Sequence, residues 1–167
     1  MRDAGLDVVT FLPAGAPWQK EGREVSAAGH RWEMTEHAIA GVDYFEADDR
    51  EVRRKGWTYT ADTLAGYPGD EEIVLVLGSD AAAGLGTWHR HEEVLARAEI
   101  AVMARPGIGR AAVEAAAGPD VIWLDAPLLE LSGTTIRHRV ATGKSARFLV
   151  REDVWRYIVD NDLYRVR

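Results

Sequence analysis

Short apolar runs rich in valine and isoleucine recur along the chain, and between them lie segments with the apolar spacing of helices. The runs show no polar alternation, which is typical of strands buried on both faces of a parallel sheet. They predict strands at Leu6–Leu12, Val42–Phe45, Ile73–Leu77, Ile100–Met103 and Val121–Leu124. The periodic segments predict helices at Ala27–Ala40, Thr60–Gly66, His89–Ala98, Arg110–Ala117, Thr134–Ala141 and Glu152–Asp160.

Because strands and helices alternate, the pattern predicts an α/β fold with a Rossmann-like, doubly wound and mainly parallel sheet. A doubly wound nucleotide-binding fold normally opens with a strand, a glycine-rich turn and a helix, whereas here the first predicted strand begins a few residues after Met1. At 167 residues the chain fits one domain. We therefore expect a single domain, 1–167, that lacks the usual first strand-turn-helix unit.

The predicted helix ends carry capping residues. Ser26 is placed to cap the helix that contains His30, since serine is a preferred N-cap residue. Gly118 and Gly143 are predicted to end two later helices.

Charge and composition exclude several kinds of chemistry. The chain has no cysteine, which excludes disulfides, thiolate metal sites and cysteine nucleophiles. Its five histidines show no convincing spacing for metal ligands, so no metal site is predicted. The net charge of −7 argues against a nucleic-acid partner. Neither a membrane span nor a signal peptide is recognisable, and we expect a cytoplasmic protein without a membrane partner.

Candidate ligand-binding residues follow the third predicted strand, because ligands of an open α/β sheet bind beyond the carboxyl ends of its strands. Gly78 would let a ligand approach the backbone, Asp80 could accept a hydrogen bond from a ribose hydroxyl, and Trp88 offers a flat face to an aromatic ring. An ordinary strand-to-helix turn with Trp88 packed in the core explains the same residues. At the level of sequence both interpretations stay open.

Hydroxyl and basic side chains follow the last predicted strand. Ser132 and Thr134 stand just before or at the start of a helix, and Arg137 lies one turn further on. Hydroxyls and free N–H groups at a helix N-terminus, with an arginine nearby, form a natural anion site. A plain N-cap explains the hydroxyls equally well, and a solvated helix face explains the arginine.

Another motif imitates a dinucleotide-binding turn. Gly107–Ala112 reads G-x-G-x-x-A, and Asp125 follows the next predicted strand 18 positions after Gly107, where a ribose-binding acid would stand. This pattern raises the alternative of an NAD-dependent oxidoreductase. Against it, Pro106 separates the strand from the glycines, and the helix that follows is short for a crossover helix.

Taken in order, these segments resemble the bacterial nicotinate-nucleotide adenylyltransferase family. The matching blocks are FLPAGAPWQK (11–20), SAAGHRWEM (26–34), WTYTADTL (57–64), GSDAAAGLGTWHRHEEVL (78–95), ARPG (104–107), LSGTTIRHRV (131–140) and RFLVREDVWRYIVDNDLY (147–164). Any one block would be weak, but ordered blocks over nearly the whole chain are specific.

The resemblance implies adenylyl transfer from ATP to nicotinate mononucleotide, which gives nicotinate adenine dinucleotide and pyrophosphate on the route to NAD. Such a transfer needs alignment of two anions and stabilisation of growing charge, with Mg²⁺ carried by ATP, and it needs no covalent enzyme intermediate. Lys20 and Arg137 match the positions of catalytic residues. The resemblance assigns ATP binding to Gly78, Asp80, Arg105, Ser132, Thr134 and Arg137, and substrate binding to Tyr59, Thr60, Thr63, Trp88 and His89.

The sequence departs from this family at its front. The family opens with a glycine-rich turn carrying an H-x-G-H motif, whose histidines hold the ATP phosphates, and the 167 residues contain no such motif. Either translation starts upstream, which we favour because the other blocks are intact, or the chain is a remnant that binds pyridine nucleotides without catalysing transfer. We expect low activity from these residues alone. Since the first central strand of the sheet is missing, we also expect reduced stability or association into homo-oligomers.

Overall fold

The structure is a computed structural model that describes residues 5–18, 25–127 and 130–165. The chain divides into two units, of which unit 1 comprises Met1–Trp57 and Glu130–Arg167 and unit 2 comprises Thr58–Leu129. The strands are β1 (Val9–Phe11), β2 (Phe45–Ala47), β3 (Val74–Gly78), β4 (Glu99–Met103) and β5 (Ile122–Leu124). The helices are α1 (Ala28–Ile39), α2 (Arg50–Arg53), α3 (Thr60–Leu64), α4 (Ser79–Ala83), α5 (His91–Arg97), α6 (Arg110–Ala117), α7 (Gly133–Ala141) and α8 (Glu152–Asp160).

Unit 1 contains a pair of parallel strands and a helical core. β1 pairs with β2 so that Val9 lies opposite Phe45. α8 is amphipathic, because Val154 and Ile158 lie four residues apart on one face and are both buried. They belong to a buried cluster that also contains residues of α7 and the segment after it: Ile136, Val140 and Ala146. The core of unit 1 therefore lies around α7 and α8.

Unit 2 contains three parallel strands in the order β3-β4-β5. β4 is the central strand, and its residues Ile100, Ala101 and Val102 are 5%, 1% and 0% exposed. This burial is the reason that its sequence shows no polar alternation. The main cluster of unit 2 joins β4 to α4, α6 and the 3-10 turn Leu85–Thr87 through Ala82, Leu85 and Val113. The strands end at Gly78, Met103 and Leu124, so the loops after β3 and β4 begin side by side.

The structure confirms the predicted α/β class with parallel strands and most of its elements. α6 and α8 have the predicted bounds, and Gly118, at φ +91°, ends α6 as predicted. β2 begins at Phe45, where the predicted strand ends, because the residues before it form a turn in which the backbone N–H of Phe45 donates to the carbonyl of Val42 over 3.0 Å. α2, α4 and the 3-10 turn, with three to five residues each, were not predicted, since so short an element shows no clear helical period. α3 also has five residues, and it was predicted only as part of a longer segment, Thr60–Gly66.

The prediction that Ser26 caps α1 is wrong. Ala27 occupies the N-cap position, and no side chain caps the helix there. The Ser26 hydroxyl instead lies 3.4 Å from the hydroxyl of Tyr164. Across the described parts of the chain, no helix is both long and apolar enough to cross a membrane.

Candidate functional site

Gly78, Asp80 and Arg105 meet where β3 and β4 end in unit 2. Asp80 lies in the first turn of α4, and its Oδ1 is 3.3 Å from Nε of Arg105. A β-carbon on Gly78 would lie 2.6 Å from each of these two atoms. The structure therefore brings together three of the residues predicted to bind ATP, and the side chains of Asp80 and Arg105 lie close over the backbone of Gly78.

Ser79 holds the two strand ends together and was not predicted. Its hydroxyl is completely buried and accepts a hydrogen bond of 2.9 Å from the backbone N–H of Arg105. A buried hydroxyl needs such a partner, because an unsatisfied polar group is costly inside a protein. The only feature of the sequence that points to a role for Ser79 is its position between Gly78 and Asp80.

Tyr59 and His89 form an aromatic pair in the same unit. Their ring centroids are 4.3 Å apart, and the ring planes are inclined by 37°. Tyr59 directly precedes α3, whereas His89 stands between the 3-10 turn and α5. Two residues predicted to bind the substrate, far apart in sequence, are thus in contact.

The remaining predicted substrate residues have different environments. Thr60 begins α3 and is half-buried, whereas Thr63 is only 4% exposed. Trp88 is half-buried and packs against the main cluster of unit 2. The core interpretation of Trp88 is therefore right for one part of its surface, while the rest stays open to solvent.

An ion pair connects the segments that carry these residues. Arg90 donates from Nη2 to Oδ1 of Asp62, which lies in α3, and its Nη1 is 3.2 Å from Oε2 of Glu93. Arg90 has φ +51°, in the left-handed region that non-glycine residues seldom adopt. Sequence reasoning did not single out either member of the pair.

The predicted phosphate-binding residues of unit 1 meet at the start of α7. The Ser132 hydroxyl accepts a hydrogen bond of 3.1 Å from the backbone N–H of Thr135, so Ser132 is the N-cap. Arg137 donates from Nη2 to the Thr134 hydroxyl over 3.1 Å. Thr134 and Arg137 are exposed, which leaves a hydroxyl and a guanidinium next to the positive end of the helix dipole.

Arg31 joins the two ends of the segment that carries Lys20. It donates hydrogen bonds to the carbonyl oxygens of Ala14 and Gly15 before that segment, and of Ser26 after it. Burial lowers the pKa of its guanidinium below the usual value, an effect that nearby Tyr164 opposes. Lys20 itself lies outside the described residues, so its predicted role near the phosphates stays a prediction.

The structure does not support the dinucleotide-binding motif. Gly107–Ala112 does span the end of the loop after β4 and the first residues of α6, as the motif requires. In such a motif, however, the last small residue lets the helix pack closely on the sheet, whereas Ala112 is exposed here. Val113, which is fully buried, makes the packing contact instead. The oxidoreductase alternative therefore loses its structural basis.

Comparison with known proteins identifies the class. The family model described as cytidylyltransferase-like matches residues 1–139, and the chain belongs to that family. The fold resembles that of "Plasmodium falciparum nicotinic acid mononucleotide adenylyltransferase complexed with NaAD", with a TM-score of 0.75 and 15% identity, covering 95% of this chain and 83% of that one. The same enzyme complexed with APC gives a TM-score of 0.72 at 14% identity, over the same shares of the two chains.

Sequence relatives narrow the class further. A probable nicotinate-nucleotide adenylyltransferase of Salinibacter ruber is 40% identical over 96% of this chain and 84% of its own length. Another, from Desulfitobacterium hafniense strain DSM 10664 / DCB-2, is 36% identical over 96% of this chain and 83% of its own. The chain is a member of the nicotinate-nucleotide adenylyltransferase family, as the ordered sequence blocks predicted.

Proposed function

We propose that this chain binds ATP and nicotinate mononucleotide for adenylyl transfer, which forms nicotinate adenine dinucleotide and pyrophosphate. Family membership supports the reaction. The observation that carries the assignment to this chain is the meeting of Gly78, Asp80 and Arg105 at the adjacent ends of β3 and β4. Ligands of parallel α/β sheets bind at such strand ends.

In the proposed reaction a phosphate oxygen of nicotinate mononucleotide attacks the α-phosphorus of ATP. The bond from that phosphorus to the bridging oxygen breaks, and pyrophosphate leaves with the electron pair. Negative charge grows on the bridging and leaving oxygens, so the enzyme accelerates the step by placing donors and cations beside them. Arg137 and Thr134 at the start of α7 are suited to this task, since a guanidinium donates to several phosphate oxygens at once.

The nucleosides are held by different groups. We assign the pyridine ring to the Tyr59–His89 pair and to the exposed part of Trp88, the residue before His89, because flat aromatic rings favour stacking. Asp80 supplies an acceptor for a ribose hydroxyl of ATP, and Arg105 keeps that carboxylate in place. Thr60 and Thr63 lie in α3, the helix that follows Tyr59, and we assign this helix to one side of the pyridine site. The buried side chain of Thr63 does not contact the ligand in this proposal.

Mg²⁺ belongs to the proposal as an ion carried by ATP. Among the described residues, no group of three or more His, Asp or Glu side chains is placed to hold a metal ion. An ion bound to the ATP phosphates does not require such a group, because Mg²⁺ keeps several waters and binds through substrate phosphates with few protein ligands. It would neutralise charge on the leaving pyrophosphate.

Titration calorimetry of the full chain tests the assignment of Arg137. Arg137→Ala should weaken ATP binding roughly tenfold or more, because a hydrogen bond to a charged group contributes about 1.5 to 3 kcal/mol. Binding of nicotinate mononucleotide should not change. Arg139→Ala is the matched control, since it removes the same charge from α7 at a residue that donates to the Ser145 carbonyl over 2.9 Å. Equal losses of ATP affinity in the two variants would contradict the role of Arg137.

A second candidate function is binding of pyridine nucleotides without transfer. The groups that we assign to the two nucleotides suffice for this function, which does not require an H-x-G-H motif; the 167 residues contain none. The two functions agree on binding and differ in turnover, so pyrophosphate release from ATP in the presence of nicotinate mononucleotide separates them. Homo-oligomer formation and the cytoplasmic location remain predictions from sequence.

A further inference from the structure

The ion pair between Asp62 and Arg90 lies next to residues that we assign to the substrate and has no role in the proposed reaction. Asp62 lies in α3, three residues after Tyr59, and Arg90 follows His89 directly. The ion pair and the contact between the rings of Tyr59 and His89 therefore join the same two segments of unit 2. Two separate contacts therefore restrain these segments relative to each other.

Arg90 has a backbone conformation that is energetically unfavourable for a residue with a β-carbon. Residues with a β-carbon seldom adopt the left-handed conformation, yet Arg90 has φ +51° at the N-cap of α5. Its guanidinium is held by Asp62 from α3 and by Glu93 from α5. A strained residue persists where its surroundings hold it, and such residues cluster at binding sites.

Stability alone gives little reason for the pair. The side chains of Arg90 and Asp62 are 37% and 44% exposed, and ion pairs at such exposure contribute little to folding. A glycine at position 90 would adopt the same backbone without strain. The contribution of the pair to folding does not explain its presence. Its effect on the positions of Tyr59 and His89 is the alternative explanation.

We propose that Asp62 and Arg90 are positioning residues that hold Tyr59 and His89 at the spacing needed to receive the pyridine ring of the mononucleotide. This inference rests on the proposed function. Neither residue touches the substrate; each acts through the neighbour that does. The pair should therefore influence affinity for the mononucleotide and leave affinity for ATP unchanged.

The test compares three variants of the full chain by calorimetry with nicotinate mononucleotide and with ATP, together with thermal unfolding. Arg90→Gly removes the pair and the backbone strain together, and Asp62→Asn removes only the charge. Arg97→Gln is the matched control. Arg97 lies at the other end of α5 and connects it to the loop after α3, where it donates to the carbonyls of Pro68 at 2.5 Å and Glu71 at 3.0 Å.

We expect Arg90→Gly and Asp62→Asn to weaken mononucleotide binding roughly threefold to tenfold, in the lower part of the range observed for coupled neighbouring residues. Arg90→Gly should do so with an equal or higher melting temperature, a combination that a purely structural role does not produce. Arg97→Gln should lower the melting temperature without changing mononucleotide affinity. Unchanged mononucleotide affinity in Arg90→Gly and Asp62→Asn overturns this inference alone. If the unsubstituted chain does not bind the mononucleotide, the proposed function and this inference both fail.

Discussion

At Gly78 the chain has no room for a β-carbon, because such an atom would lie 2.6 Å from both Nε of Arg105 and Oδ1 of Asp80. Real β-carbons do not approach other atoms so closely. The glycine thus allows the ion pair between Asp80 and Arg105 to close over the backbone at the end of β3. Its role is one of space, since its backbone angles are ordinary for any residue.

Gly78→Ala should therefore displace the Asp80–Arg105 pair and weaken ATP binding by roughly tenfold, which corresponds to the loss of one hydrogen bond to a charged group, about 1.5 kcal/mol. Calorimetry with ATP measures the change. Gly84→Ala serves as the control, because a β-carbon there would meet its nearest neighbours at 3.6 and 3.7 Å, an ordinary contact distance. Equal ATP affinities in the two variants would mean that Gly78 does not border the ATP site.

At the residue scale, the sequence blocks predicted Gly78, Asp80, Arg105 and Arg137 as binding residues, and the structure brings the first three of these candidates together. The sequence could not identify Arg90, because no sequence pattern predicts a left-handed backbone conformation at a residue other than glycine. Ser26 shows the opposite failure. Serine is a good N-cap in general, but here a tertiary contact with Tyr164 takes its hydroxyl.

Among the elements, α7 depends on a single side chain at its start. The Ser132 hydroxyl accepts from the backbone N–H of Thr135, one of the groups that a helix N-terminus leaves without a partner. Ser132→Ala should lower the free energy of unfolding by about 1 kcal/mol, the usual value for loss of an N-cap.

Ser132→Asp separates the capping role from the proposed phosphate contact. Aspartate caps a helix as well as serine does, so stability should be retained in chemical denaturation. Its negative charge should nevertheless repel the phosphates and weaken ATP binding. If Ser132→Asp binds ATP as well as the unsubstituted chain does, Ser132 does not face the phosphates.

Tyr157 of α8 has a raised pKa and contacts His30 of α1. His30 Nδ1 lies 2.9 Å from the hydroxyl of Tyr157, whose pKa is raised above the ordinary 10.0, first by burial and second by the negative charge of Glu33. The stabilisation that follows is fully present below the pKa of the unfolded chain, and it is lost as the pH rises through the folded pKa.

Glu33→Gln should therefore lower the pKa of Tyr157 towards its ordinary value without abolishing the shift, because burial is the larger cause. The measurement is an alkaline titration of phenolate absorbance, with Tyr157→Phe subtracted to isolate this side chain. A pKa that does not move in Glu33→Gln would show that Glu33 does not act on Tyr157.

Sequence patterns located the long elements well and the short ones poorly. The bounds of α6 and α8 were predictable because apolar spacing and a terminal glycine or acidic first turn mark their ends. α2 and α4, with four and five residues, hold too few apolar positions for any period. Their formation depends on tertiary packing, which a local pattern does not contain.

At the scale of the whole molecule, the 167 residues contain the groups that we assign to the binding of two nucleotides. They do not contain an H-x-G-H motif. We expect measurable binding of both ligands and slow release of pyrophosphate from these residues, because the family resemblance assigns part of the charge stabilisation in the transition state to the histidines of that motif.

A version of the chain extended upstream in frame to include such a motif provides the comparison. Pyrophosphate release should rise by orders of magnitude in the extended version, while the affinity for nicotinate mononucleotide changes little. Fast release by the 167 residues alone would remove the need for the motif, whereas no release by either version would leave only the nucleotide-binding function.

The discontinuous make-up of unit 1 has a consequence for biosynthesis. The hydrogen bond between His30 and Tyr157 joins residues 127 positions apart, and that between Ser26 and Tyr164 spans 138. A ribosome adds about 5 to 20 residues per second, so α1 emerges on the order of ten seconds before α8 exists. Unit 2 can complete its own pairing during that interval. The apolar side chains of α1 that pack against the cluster containing α8, such as Met34, therefore lack that packing until the last residues of the chain have been made.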